Sequence, residues 1–165
     1  MNLLRFLKHL LTPGWYARRV LPAAALARIA ARIGRSEAAH RGEIRFVTEG
    51  GFDLLPLVKG LTAHTRAIKV FSDLRMWDTE ENTGVLIYLQ LFDHDIEILA
   101  DRGINARVRP DEWEAICQRM EAAFRAGKFE AGVMVGLDDI TALLTQHFPA
   151  REANPDELPN TPVAL

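Results

Sequence analysis

Residues 75–92, "RMWDTEENTGVLIYLQLF", decide how the chain is read. Val85 to Phe92 is almost unbroken apolar sequence with no period-two alternation. That pattern belongs to a strand covered on both faces, in the interior of a sheet. Just ahead of it stand Asp78, Glu80, Glu81 and Asn82, hard oxygen donors gathered at the mouth of the strand. Such a group can be a metal site, a solvated polar loop, or a contact surface for a partner.

Working outward, "DHD" (93–95) reads as a tight polar turn, and "IEILADRGI" (96–104) alternates as the return strand of a hairpin. Upstream, Thr62 suits the N-cap of a helix whose apolar stripe is Ala67, Val70, Phe71 and Leu74. "EIRFVTE" (43–49) alternates as a strand with Ile44 and Phe46 on one buried face, and Gly50-Gly51 breaks it. "DLLPLVKGL" (53–61) holds a proline and a glycine and is at best a short irregular helix.

Toward the N-terminus, Pro22 opens a helix that buries Leu26, Ile29, Ala30 and Ile33, leaves Arg28, Arg32 and Arg35 solvated, and stops near Gly42. Residues 1–11 place Leu3, Leu4, Leu7, Leu10 and Leu11 at helical spacing ahead of Pro13-Gly14. Toward the C-terminus, Pro110 with Asp111 and Glu112 starts a helix that turns Trp113, Ile116, Cys117, Met120 and Phe124 inward. Gly127 ends it, and a last helix over about 130–147 buries Val133, Leu137, Ile140 and Leu144. Residues 150–165, with three prolines and no periodicity, read as a disordered tail. A strand–helix–strand crossover with helices on both sides implies an α/β sandwich, and the hairpin makes its sheet mixed.

The expected division is a basic N-terminal arm (1–21), one α/β domain (22–149) and the tail (150–165). The length of 165 residues suits one domain with a sizeable core. The lone Cys117 excludes an internal disulfide framework and reads as a structural thiol. No apolar run reaches the about 18 residues of a membrane span. The N-terminus lacks the clean apolar core and cleavage site of a signal peptide, so a cytoplasmic location is expected. Charge is uneven: residues 1–42 carry eight Lys/Arg and one acid, the remainder twelve and twenty-one, for a net −2. A basic arm ahead of an acidic body either binds something anionic or folds back on its own domain.

Four stretches, "RSEAAHRGEIRF" (35–46), "WDTEENTGVLIYL" (77–89), "IEILADRGI" (96–104) and "FEAGVMVGLDDITALLTQHFP" (129–149), together resemble the TPM domain of thylakoid lumen and photosystem-repair proteins. The resemblance covers roughly residues 25–149. It implies a Rossmann-like α/β/α sandwich without a dinucleotide fingerprint, and hence no organic cofactor. It also implies links to acid phosphatase activity, to calcium binding and to assembly or repair of membrane complexes. The chain departs from the commoner pattern in having Thr83 where an asparagine is usual, and it is expected to have neither the leader nor the anchor that many members carry.

The expected chemistry centres on the acidic loop. Asp78, Glu81 and Asn82, completed by Asp101 if the return strand ends at the same sheet edge, are the candidate ligands for Ca²⁺ or Mg²⁺. A metal-dependent phosphatase would use Asp78 or Asp101 with metal-bound water or as nucleophile, and Arg102 to steady a phosphate. The motifs of serine hydrolases, P-loop enzymes, zinc proteases and dithiol redox proteins are absent. The five histidines have no metal spacing. The arm, with Trp15-Tyr16 and Arg18-Arg19 behind its leucines, has the features of an interfacial anchor for an anionic membrane or for a protein partner. Docking on its own domain or on a second copy of it is the competing reading. Nucleic acid is not expected, since the body is acidic and carries no reading motif. The function expected is an interaction module, with the phosphatase as alternative.

Overall fold

In the computed structural model, which describes residues 15–51, 61–151 and 154–165, the apolar run becomes β2 (Gly84–Gln90), with all seven residues buried. It pairs parallel with β1 (Glu43–Glu49) and antiparallel with β3 (Asp95–Ala100). A two-residue strand, β4 (Val163–Ala164), lies parallel along the free side of β1. The sheet order is β3-β2-β1-β4, so the unalternating strand is interior, as its sequence requires.

Helices cover both faces. Val85, Ile87 and Leu89 of β2 join Ile44 and Phe46 of β1 in a core shared with α2 (Ala23–Glu37), α5 (Pro110–Arg125) and α6 (Phe129–His147). Leu86 and Tyr88 point the other way, with Val47, into a smaller cluster under α3 (Ala63–Asp73). The period-two alternation of a strand therefore divides one apolar run between two cores. Thr62 caps α3 as expected, its hydroxyl accepting from the Thr65 N–H at 3.1 Å. Gly127, at φ +73°, ends α5 in the left-handed region where a Cβ is unfavourable. Cys117 on α5 is half-buried, and burial with nearby Glu97 and Glu121 pushes its thiol up to about 11, away from the reactive thiolate.

Three expectations are corrected. β1 is buried on both faces, not one, because Glu49 and Arg45 are covered along with Ile44 and Phe46. Glu49 is buried with its charge matched: Arg66 of α3 grips it through two nitrogens at 2.8 and 2.9 Å, and the Tyr88 hydroxyl donates to it. The return strand ends at Ala100, as expected for the hairpin mate of β2, because Asp101 accepts from the Arg102 N–H at 2.7 Å and opens a short helix, α4 (Arg102–Asn105).

Residues 154–165, expected to be disordered, run along β1. Leu158 is 9% exposed, its N–H donates to Glu43, and Leu165 N–H donates to the Thr48 carbonyl. Hydrogen bonds to an otherwise open strand edge order a segment that composition alone leaves free. Finally, residues 15–21, assigned to a separable arm, pack on the domain. In α1 (Trp15–Val20), Tyr16, Ala17 and Val20 lie against the larger core, and Leu21 is 3% exposed. The helix expected over 1–11 and the irregular one over 53–61 lie outside the described residues, except for Leu61.

Candidate functional site

The loop from Arg75 to Thr83 is folded onto the beginning of β2. Met76 N–H donates to the Phe71 carbonyl, and Thr83 N–H donates to the Thr79 hydroxyl at 2.9 Å. Arg75 and Asn82 take positive φ, 52° and 56°, which turns the chain sharply at both ends of the loop. Gly84 is required because a Cβ there would overlap the Met76 carbonyl. Thr83, unusual for the resemblance, is fully buried and has a role of its own: its hydroxyl donates to the Arg41 carbonyl at 2.9 Å.

The antiparallel register brings Asn82 and Asp101 to one sheet edge, as the sequence reading required. Asp101 N–H donates to the Gly84 carbonyl at 2.8 Å, and Gly103 N–H donates to the Asn82 carbonyl at 3.1 Å. Arg102 reaches back so that its Nε donates to Asn82 Oδ1 at 2.8 Å. Asp101 spends one oxygen capping α4, while its Oδ2 is buried without a hydrogen-bond partner.

The other two proposed ligands turn elsewhere. Glu81 is clamped by Arg41 and, at 2.7 Å, by Arg151. Arg41 also donates to the Pro149 carbonyl at 3.0 Å, and Arg107 donates to the His147 carbonyl at 2.9 Å. Both guanidiniums lie over the Phe148 ring. Positive charge thus sits at the C-terminal end of α6, where the helix dipole is negative. Asp78 is exposed. Among the described residues, the carboxylates of Asp78, Glu81 and Asp101 do not form a converging group of three.

A different trio does converge. Oxygens of Glu37, Glu43 and Asp156 lie within 4.8 Å of one another. Glu37 ends α2 and Glu43 begins β1; both are buried, while Asp156 on the C-terminal segment is exposed. Burial above all, then the charges of Glu43 and Asp156, pushes Glu37 up to about 8, and burial likewise raises Glu43. Asn154 ties the segment to the end of α2, its Nδ2 donating to the Glu37 and His40 carbonyls at 2.8 and 3.0 Å. Sequence reading missed this group because Asp156 lies 113 residues beyond Glu43 in a stretch that looks unstructured. The one available signal was acids, Asp156 and Glu157, placed beside an apolar Leu158.

These features define an α/β/α sandwich with a four-stranded mixed sheet and an edge built from acids and arginines, and with no phosphate-cradling glycine loop in the sequence. The chain belongs to the TPM domain family, which it matches over residues 17–143. It is similar to the BA42 protein of the psychrophilic bacterium Bizionia argentinensis, solved by NMR, with 31% identity and a TM-score of 0.78 over 88% of this chain and 95% of that one. No curated protein matches the chain in sequence.

Proposed function

We propose that this TPM domain is an interaction module that binds a divalent cation and docks on an anionic membrane surface, where it assists a membrane-associated protein complex. The observation that carries the docking is the division of α1. It packs the half-buried Tyr16, Ala17 and Val20 against the larger core and leaves Trp15, Arg18 and Arg19 exposed. A tryptophan 55% exposed beside two arginines suits the level of lipid headgroups. No helix among the described residues is long and apolar enough to cross a membrane, so the contact proposed is peripheral.

The charge of residues 28–41 is partly used within the molecule. Arg28 and Arg32 pair with Glu130 and Asp138 of α6, and Arg41 pairs with Glu81. Arg18 and Arg19 have no such pairing among the described residues.

Co-sedimentation with vesicles tests the reading. Binding to phosphatidylserine-containing vesicles should exceed binding to phosphatidylcholine alone and weaken with salt, at about 1 kcal/mol per basic residue near the surface. Trp15→Ala with Arg18→Ala and Arg19→Ala should lose most of it with the melting temperature little changed. Equal binding by that variant would reject the membrane contact. One observation favours the phosphatase instead: Asp101 keeps a buried, unpartnered oxygen, and Arg102 follows it in the chain. Turnover of p-nitrophenyl phosphate with Ca²⁺ or Mg²⁺, lost in a folded Asp101→Asn variant, would decide for the enzyme.

A further inference from the structure

We propose that the groove between α5 and α6 binds a short zwitterionic peptide, about two residues long and carrying an apolar side chain. The inference is independent of the membrane contact and of the cation proposed above.

The groove follows from the packing of the two helices. Near the turn at Gly127 they are drawn together by glycines: a Cβ on Gly132 would overlap the Phe124 ring, and one on Gly136 the Met120 sulfur. Farther from the turn α5 and α6 face each other with Ala115, Ile116, Ala142 and Leu143, and the small alanines leave a cavity of about 300 Å³. Ile116, 1% exposed, and the half-buried Leu143 give it an apolar floor, and the exposed Ala142 stands at its mouth.

Charge marks the two ends. Glu112 and Arg119 bracket the α5 side, seven residues and so two turns apart on one face. Asp139 and Gln146 bracket the α6 side in the same way. Arg119 Nε donates to Asp139 Oδ2 at 2.7 Å, and in an antiparallel helix pair this sets Glu112 beside Gln146 at the opposite end. Each end keeps open groups. The two terminal nitrogens of Arg119 have no partner among the described residues. Glu112 Oε2 accepts from the Arg109 N–H at 2.9 Å, which leaves Oε1 open, and the Gln146 amide is open too.

This lining selects a ligand of both signs. A carboxylate fits the open fork of Arg119, an ammonium fits Glu112, and an apolar side chain fills the space over Ile116 and Leu143. A simple anion would meet the charges of Glu112 and Asp139, and a simple cation would leave the Arg119 fork empty. Length and volume bracket the size. Glu112 and Arg119 are about 10 Å apart along the helix, too far for the adjacent charges of one amino acid. An extended dipeptide spans about 7 Å, and the reach of the two side chains closes the rest. A cavity of about 300 Å³ is at the lower limit for small-molecule sites, so it has no room for a long peptide. The Gln146 amide is placed to hydrogen-bond the peptide group.

The test is an amide-resolved NMR titration of the full chain with the dipeptide Ala-Leu at pH 7, to about 20 mM. Saturable shifts are expected at Ala115, Ile116, Ala142 and Leu143. N-acetyl-Ala-Leu, which lacks the ammonium, and Ala-Leu-amide, which lacks the carboxylate, should each bind tenfold or more weakly. Ala142→Leu should fill the cavity and abolish the shifts; it lies at an exposed helical position, and an otherwise unchanged spectrum shows that it folds. Arg119→Gln should lose the preference for Ala-Leu over its amide while keeping the fold. No saturable shift, shifts centred outside the groove, equal binding of the blocked peptides, or wild-type binding by Ala142→Leu would each overturn the inference.

Discussion

His40 shows how a single residue is committed by its surroundings. It is fully buried, with both ring nitrogens engaged. Gly42 N–H donates to Nδ1 at 3.2 Å, so the proton of the neutral ring sits on Nε2, which donates to Ser36 Oγ at 2.8 Å. Ser36 continues to Thr141, and Thr141 donates to the Leu137 carbonyl, linking the end of α2 to α6. Burial pulls His40 down to about 4. The unfolded chain binds a proton near pH 6.5 that the folded state refuses, so this contribution to stability is present above pH 6.5 and is lost as pH falls toward 4. Glu37, held up to about 8, acts with the opposite sign over part of the same range, so a difference measurement is needed. In urea unfolding, the stability gap between wild type and His40→Gln should shrink by about 3 kcal/mol between pH 6.5 and pH 4. A gap that stays constant would show that His40 accepts its proton while folded. The hydrogen-bond chain of His40 spans more than one hundred residues and has no local signature.

At the scale of elements, the C-terminal segment is where composition and structure part company. Three prolines and no periodicity signal disorder, yet Leu158 enters the smaller core and Val163–Ala164 completes the sheet. Nothing in those residues by themselves predicts order; what orders them is an unfilled edge on β1, a long and buried strand. Removing 154–165 should therefore expose that edge along with the apolar surface under Leu158. Burial of one leucine is worth about 1.5–3 kcal/mol, so the melting temperature should fall by about 5–10 °C. The truncated chain should also self-associate in size-exclusion chromatography. A monomer of unchanged stability would show that the segment is ornamental. The α3–β2 loop is the opposite case: its acids were legible as a group, but their partners were not. Glu81 is claimed by Arg41 and Arg151, contributed from opposite ends of the domain.

At the scale of the molecule, the two cores share the same strands, so the faces of the sheet cannot unfold independently. Tyr88 and Leu86 fill one side of β2 while Val85, Ile87 and Leu89 fill the other. The chain should melt in one transition, with tryptophan fluorescence and far-ultraviolet circular dichroism giving coincident curves. α1 belongs to that unit through Tyr16, which meets Phe92 edge-on at 6.0 Å between ring centroids. Two separated transitions would mean that α1 or the C-terminal segment is a domain apart.

By itself the sequence determined the sandwich, the interior place of Gly84–Gln90, its hairpin with β3, the helices that cover it and the family to which the chain belongs. These follow from short-range periodicity, caps and breakers, in which each residue reports on its near neighbours in the chain. The tertiary structure alone decided which acids meet. It paired Glu81 with arginines, set Asp101 to capping a helix, and brought Glu37, Glu43 and Asp156 together. Charge interactions depend on distance in space and on burial, and neither is written in the spacing of residues more than one hundred positions apart.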